Sequence, residues 1–302
     1  MTVALVMGAG SIGSRHARVL GELGAEVVVV SSRSDLALPT FADVETAFSE
    51  REPDYVVVAT ETARHAASVA ALHAVGYRGR LLIEKPLAVP EPDLTGFSGV
   101  GVGFNLRFHP VIQRLHAVLS AAAVHTVEVY AGQHLSDWRP DRPLGEQYST
   151  SRARGGGVLR DLSHEFDYLA MILGPCTGVF GIGGRVADLT EDSDDAWAIV
   201  ARYERAPVVS VQLNYLDTGG RRRIVANTSV GTVVADVVAG TLTVAGTTER
   251  FESDRDDTYR ALHRAMLESS GAVASVADAA AVDRVIDQVE RSAATGRWLD
   301  VA

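Results

Sequence analysis

Gly8-Ala9-Gly10-Ser11-Ile12-Gly13 lies between an apolar run at residues 3–7 and a stretch, residues 11–23, whose apolar positions recur at helical spacing. A glycine-spaced turn that ends a buried strand and opens a helix is a narrow constraint on a fold. Gly8 permits the tight turn, Gly10 lets backbone approach a pyrophosphate, and Gly13 lets the helix pack close to the strand. The N–H groups that open the helix, at Ser11 and Ile12, then face the phosphates with the positive end of the helix dipole. The pattern predicts a Rossmann-type dinucleotide-binding domain.

The surroundings agree with that reading. Residues 27–30, 55–59, 81–83 and 100–104 are further short apolar runs, with helical stretches at 63–75 and 111–119 between them. Strands alternating with helices at this spacing imply a parallel sheet with right-handed crossovers. The first domain is expected to span residues 1–120. Beyond it, strands at 124–130, 196–203, 208–215, 223–227, 232–238 and 241–244 follow one another with short turns, which implies a largely antiparallel open sheet. Helices are expected at 158–173, 258–268 and 276–293. The fold class is therefore α/β: an N-terminal Rossmann domain and a C-terminal α+β domain over residues 121–302, for substrate binding and oligomerisation. The segment 131–157 shows little periodicity, and long ordered loops often carry function.

Charge and cysteine content narrow the partners. A formal net charge of -10 opposes binding to nucleic acid or an anionic membrane. Cys176 is the single cysteine, so no internal disulfide and no thiolate metal cluster is expected, and it reads as a packing residue. The first strand starts at once, without a secretory pattern, and no run is long enough to span a bilayer. A cytoplasmic protein is expected.

The second strand bears on the cofactor. It runs into Ser31-Ser32-Arg33-Ser34, with no carboxylate at its end. Hydroxyl donors and a guanidinium suit a 2′-phosphate, so Ser32 and Arg33 predict NADP in preference to NAD. Asp35 lies slightly later and would serve NAD if the strand ends late. Lys85, in Glu84-Lys85-Pro86 after the strand at 81–83, stands where Rossmann ligands lie, at the carboxyl end of a parallel strand.

At this point the sequence resembles the glucose-fructose oxidoreductase/inositol dehydrogenase/MocA family. Gly8 to Gly13 with Ser14-Arg15-His16 is similar to the family's phosphate loop, and Ala59-Thr60-Glu61-Thr62-Ala63-Arg64-His65 to its third-strand turn, although Glu61 stands where proline is more usual. Ile83-Glu84-Lys85-Pro86-Leu87-Ala88 is similar to its most recognisable motif. Gly103-Phe104-Asn105-Leu106-Arg107-Phe108-His109-Pro110 and the segment from Gly155-Gly156-Gly157 to His164-Glu165-Phe166-Asp167 follow in family order.

The resemblance implies hydride transfer between a nicotinamide and a carbon of a sugar, ketosugar or cyclitol. It implies further cofactor contacts at Thr60, His65 and Glu84, and a catalytic or substrate-positioning role for Lys85. It also implies that His164 gives or takes the proton. An imidazole ordinarily titrates near neutrality and suits that work, while a cation stabilises the oxygen charge that develops beside it. Many family members place three residues between the Asp and the His of this helix, whereas Asp161 and His164 are separated by two. Asp161 or Asp167 would orient the imidazole, each three residues away on one helical face. A zinc-protease reading of His164-Glu165 fails, because Tyr168 stands where the second His would be. Arg107, Trp138, Arg139 and Tyr148 are candidates for the substrate pocket, since aromatic faces suit sugar rings and guanidinium forks suit their polar groups. A ligand sensor without turnover, or a lyase or glycosidase using transient oxidation by a bound cofactor, are the alternatives. A homodimer or homotetramer is expected by family analogy.

Overall fold

The computed structural model describes residues 1–33, 35–87, 91–138, 140 and 143–301. In chain order the first elements are β1 (Val3–Met7), α1 (Ser11–Glu22), β2 (Glu26–Val30), β3 (Thr40–Phe41), α2 (Val44–Glu50), β4 (Tyr55–Val58), α3 (His65–Ala74), β5 (Arg80–Ile83) and β6 (Gly99–Val102). There follow α4 (Pro110–Ser120), β7 (Val124–Gly132), α5 (Val158–Asp161), α6 (His164–Leu173), β8 (Cys176–Gly184), β9 (Ala196–Tyr203), β10 (Ala206–Asn214), β11 (Arg221–Thr228), β12 (Gly231–Asp236), β13 (Thr241–Val244) and β14 (Thr247–Arg250). The chain ends with α7 (Asp257–Glu268), α8 (Val276–Thr295) and β15 (Leu299–Asp300).

Two compact units result. One comprises residues 1–105 and 254–279, the other 106–253 and 280–302. The division expected at residue 120 therefore moves to residue 105, and α7 belongs with the N-terminal unit. Ion pairs from Arg18 to Asp256 and from Arg260 to Glu22 join α7 to α1.

The first unit holds a parallel sheet in the order β3-β2-β1-β4-β5-β6. Strand β4 is fully buried along its length and β5 nearly so, which is why each reads as an unbroken apolar run. The order reverses direction between β1 and β4, and ligands of such sheets bind beyond the carboxyl ends of the strands at that point.

The second unit holds a nine-stranded sheet, β14-β13-β12-β11-β7-β10-β9-β8-β15. Its pairs are antiparallel except β7 with β10, so the sheet is mixed but mostly antiparallel, as expected. Burial alternates along β9, with Trp197, Ile199, Ala201 and Tyr203 inward. The opposite face leaves Ile182, Val200 and Val208 exposed.

Several elements depart from expectation, among them the short strands β3, β14 and β15, which were not expected. The helix expected over 158–173 is two helices, broken between Asp161 and His164, and Ser163 precedes α6 in a near-helical conformation. Apolar spacing continues through the break at Leu159, Leu162 and Phe166, all buried, so periodicity alone did not reveal it. Strand β8 was not expected. Its glycines lower strand propensity, yet Gly178 and Gly181 stand where a Cβ would meet Trp298 and Val289. Helix α2 was also missed; the Asp43 carboxylate caps it by accepting from the Thr46 N–H. Among the described residues no helix is long and apolar enough to cross a membrane.

Buried Ser292 ties α8 to β8, because its Oγ accepts from the Gly181 N–H and donates to the Arg297 carbonyl. Ser292→Ala leaves a buried N–H without that acceptor and is expected to cost about 1–3 kcal/mol. All three tryptophans lie in this unit, so urea unfolding followed by their fluorescence measures the loss.

Candidate functional site

The glycine loop is shaped by close packing. Gly8 has φ of +97°, and a Cβ there would lie 2.7 Å from the Ala59 carbonyl oxygen. A Cβ on Gly13 would lie 1.9 Å from the Gly8 carbonyl oxygen, which is impossible without moving α1. Gly10 is the residue before α1, in extended conformation, and no protein atom lies within 4 Å of its absent Cβ. No side chain caps this helix end and no acidic residue occupies its first turn. Unclaimed N–H groups with positive dipole at a strand-to-helix turn fit the pyrophosphate of a dinucleotide.

Beyond β2, Ser32 is exposed and Arg33 folds back toward this loop. The Arg33 guanidinium donates to the Ala9 carbonyl at 3.0 Å and to both oxygens of Asp35 at 2.9 and 2.6 Å. Its hydrogen bonds hold the Asp35 carboxyl below the usual range. The residue that would favour NADP and the one that would favour NAD thus form one exposed pair.

After β4, Thr60 and His65 come together, with His65 Nε2 at 3.1 Å from the Thr60 carbonyl. His65 is buried, and burial holds its ring below the usual histidine range. A neutral Nε2–H then donates to that carbonyl and braces the turn. After β5 come Glu84 and half-buried Lys85, with a cis bond to Pro86. The Glu84 side chain turns inward: one oxygen lies 2.9 Å from His16 Nε2 and the other accepts from the Lys85 N–H at 3.3 Å. Its carboxylate therefore belongs to the interior of the unit, and a cofactor contact at Glu84 would fall to its backbone.

In the second unit, buried Asp161 receives two phenols, Tyr148 at 2.7 Å and Tyr215 at 2.6 Å. Burial first, and then the Asp161 charge, pushes the Tyr215 phenol well above its usual range, so the hydroxyl stays a donor. Trp138 packs edge-on against Tyr215 with ring centroids 5.3 Å apart. His164, half-buried, is the first residue of α6. It and Asp161 lie on separate helices, so the argument that one helical face would pair them does not hold.

Two of the three glycines before α5 have a packing reason. A Cβ on Gly156 would lie 2.3 Å from the Tyr148 carbonyl oxygen, and one on Gly157 2.1 Å from Asp194 Oδ1. The loop that carries Tyr148 is folded against this turn. Asp194 holds the turn from below, accepting from the Leu159 N–H at 3.0 Å and the Trp197 indole at 2.9 Å. Burial raises its carboxyl above the usual range against the pull of those donors.

Arg107 is ion-paired. Its guanidinium grips Asp167 through Nε and Nη2 at 2.7–3.0 Å, with both residues buried. That pair joins Arg107, a candidate for the substrate pocket, to Asp167, the second candidate for orienting His164. Arg139 lies outside the described residues.

Both halves of the chain match one family. The model described as "Oxidoreductase family, NAD-binding Rossmann fold" matches residues 2–95, and that described as "GFO/IDH/MocA C-terminal domain" matches residues 112–261. The chain belongs to the Gfo/Idh/MocA family. No curated protein matches it. Among solved structures, levoglucosan dehydrogenase in complex with NADH and L-sorbose is similar with a TM-score of 0.85 at 16% identity, covering 100% of this chain and 99% of that one. GenD2 from gentamicin A biosynthesis, in complex with NAD, is similar with a TM-score of 0.80 at 22% identity, covering 100% and 96%. A putative myo-inositol dehydrogenase from Sinorhizobium meliloti 1021 gives 0.77 at 20% identity and 100% of both chains. At these identities the likeness is one of fold.

As a Gfo/Idh/MocA member the protein is an oxidoreductase with an NAD-binding Rossmann domain. Sequence reading missed Tyr215, Asp194 and the Glu165–Arg222 ion pair at 2.7 Å. Tyr215 ends an expected strand, and nothing in the order of residues says that its hydroxyl reaches Asp161, 54 positions away. The Arg107–Asp167 pair makes a direct prediction. Asp167→Leu takes the carboxylate away from a buried guanidinium and is expected to cost about 3–5 kcal/mol, whereas Arg107→Met with Asp167→Leu is expected to recover most of that loss. Urea unfolding of both variants checks it; equal losses would return Arg107 to a role other than structure.

Proposed function

We propose that this protein transfers hydride between a nicotinamide dinucleotide and a hydroxyl- or carbonyl-bearing carbon of a sugar, ketosugar or cyclitol. The observation that carries the reading is Lys85 at the carboxyl end of β5, in the domain whose glycine loop leaves a helix N-terminus free for phosphate. Family membership over both units supports it, as do solved relatives named for levoglucosan and myo-inositol.

Ser11, Ile12 and Gly13 would hold the pyrophosphate, with Gly8 and Gly10 giving the loop its shape and Thr60 lining the turn after β4. The nicotinamide ring, when bound, accepts or returns the hydride. In the oxidative direction His164 takes the proton from the substrate hydroxyl, and Lys85 holds the negative charge that grows on its oxygen. In reduction the same imidazole donates the proton. Asp161, held by Tyr148 and Tyr215, fixes the polar floor of the turn that leads into His164. Trp138 and Tyr148 offer aromatic surface to a sugar ring.

Lys85→Ala and His164→Ala are each expected to lower kcat by about a hundredfold to a thousandfold, with NADH or NADPH binding within a few-fold. Absorbance assays against polyols with oxidised cofactor, and ketosugars with reduced cofactor, would find the substrate first. Near-normal rates in either variant overturn its role. Tight cofactor binding without turnover on any substrate would favour a sensor.

Arg33 and Asp35 set the choice of cofactor in this reading, with Ser32 as a further donor. Arg33 would serve the 2′-phosphate of NADP and Asp35 the ribose hydroxyls of NAD. Solved relatives carry NAD or NADH, and the Arg33–Asp35 pair tempers the NADP preference expected from Ser32 and Arg33 alone. Arg33→Ala is expected to lower the ratio of NADP to NAD affinity, and Asp35→Ala to raise it, each by about tenfold. Fluorescence titration reads both; ratios unchanged in both variants would remove this segment from cofactor recognition.

A further inference from the structure

Four polar side chains form an unbroken line through the interior of the N-terminal unit. Tyr55 Oη lies 3.0 Å from His263 Nδ1. His263 Nε2 lies 2.8 Å from His16 Nδ1. His16 Nε2 lies 2.9 Å from Glu84 Oε1. Tyr55, His16 and His263 are wholly buried, and Glu84 is 8% exposed. They come from β4, α7, α1 and the end of β5, four elements that approach one another only in the fold.

The direction of every hydrogen bond in the line can be worked out. A buried phenol must donate its proton, and the bond to His263 is the one side-chain partner that Tyr55 has among the described residues. His263 Nδ1 therefore accepts. Burial, and then the neighbouring His16 ring, holds His263 well below the usual histidine range, so it carries one proton, on Nε2, and donates it to His16 Nδ1. That nitrogen accepts, which leaves His16 its proton on Nε2, aimed at Glu84. A protonated His16 would reverse the line and leave the Tyr55 hydroxyl without an acceptor. The other groups facing the rings are Tyr259, edge-on to His16, and Arg15, whose guanidinium lies over Tyr259.

Glu84 is confined on its other side as well. A Cβ on Gly103 would lie 2.5 Å from Glu84 Oε1, so the absence of a side chain just after β6 makes room for the carboxylate. With Oε1 facing His16, Oε2 accepts from the Lys85 N–H. We infer that His16 and His263 are positioning residues: a one-way relay from Tyr55 aims a single N–H at Glu84, and Glu84 in turn fixes the backbone that carries Lys85. The relay also ties α1, whose first turn is the phosphate-binding end, to the same carboxylate. The inference rests on the role proposed for Lys85.

The polarity gives a test that bulk does not. His263→Phe fills the space but neither donates nor accepts, whereas His263→Gln offers one amide donor and one acceptor in the order the relay needs. On the substrate that the panel identifies, His263→Phe is expected to lower kcat by about tenfold or more, with KM and NADH affinity within about threefold, and His263→Gln to restore most of the rate. Equal kinetics for the two variants would overturn the relay. Nitrogen-edited NMR of the full chain with labelled histidine gives a second reading that needs neither turnover nor a variant. Both rings are expected to carry a proton on Nε2 and none on Nδ1, and a proton on Nδ1 of either ring would overturn the assignment. If Lys85→Ala keeps its rate while the tautomers are as stated, the Lys85 role fails and the relay stands as a brace of the fold alone. If the tautomers differ while Lys85→Ala is inactive, the relay fails and the Lys85 role stands.

Discussion

Helix α1 lies so close to the loop after β1 that no side chain fits between them. The Gly13 Cα sits against the Gly8 carbonyl, and Gly8 in turn sits against the Ala59 backbone. That contact sets the height of α1 over the sheet, and the height decides where its first N–H groups point. It also decides where the inner face of the helix reaches. His16 is on that inner face, one turn after Ser11, and from there it meets His263 and Glu84. The two glycines thus fix a phosphate-ready surface on one side of the helix start and a buried polar junction below it. Neither feature would survive an added methyl group at Gly13.

The same economy shows in the second unit. The turn before α5 is built from glycines that let the Tyr148 carbonyl and the Asp194 carboxylate approach the backbone. Asp194 and Asp161 are both buried, and each has a donor far along the chain, Leu159 for Asp194 and Tyr215 for Asp161. Burying a carboxylate is costly unless donors meet it; phenols meet both oxygens of Asp161, while an amide and an indole share Asp194 Oδ2 and Oδ1 has no partner among the described residues. The result is a rigid foundation for the segment that leads into His164.

Much of this architecture was legible in advance, and the reason is physical. Central parallel strands are buried on both faces, so β1, β4 and β5 read as apolar runs bounded by turns. Strands of the second sheet alternate, and β9 and β13 were expected at the residues where they occur. What periodicity could not reveal were interruptions that keep the apolar spacing, as at Leu162, and strands whose packing demands glycine, as at Gly178 and Gly181. Short elements such as α2 depend on one cap and carry little pattern.

Side-chain commitments were the least legible part, because they depend on partners far along the chain. Arg107 looks like a ligand-binding fork until Asp167 is seen within its reach, 60 residues on. Glu84 looks like a crevice residue until His16 is found beneath it, 68 residues back. In both cases the chain contains two charged or titratable groups, and burying either without the other would be costly. A motif read from sequence therefore gives residues whose chemistry matters, but not whether that chemistry faces a ligand or the interior. Glu84 and Lys85 are adjacent and show the division. The carboxylate holds the turn, and the reading proposed here assigns the chemistry to the amine of its neighbour.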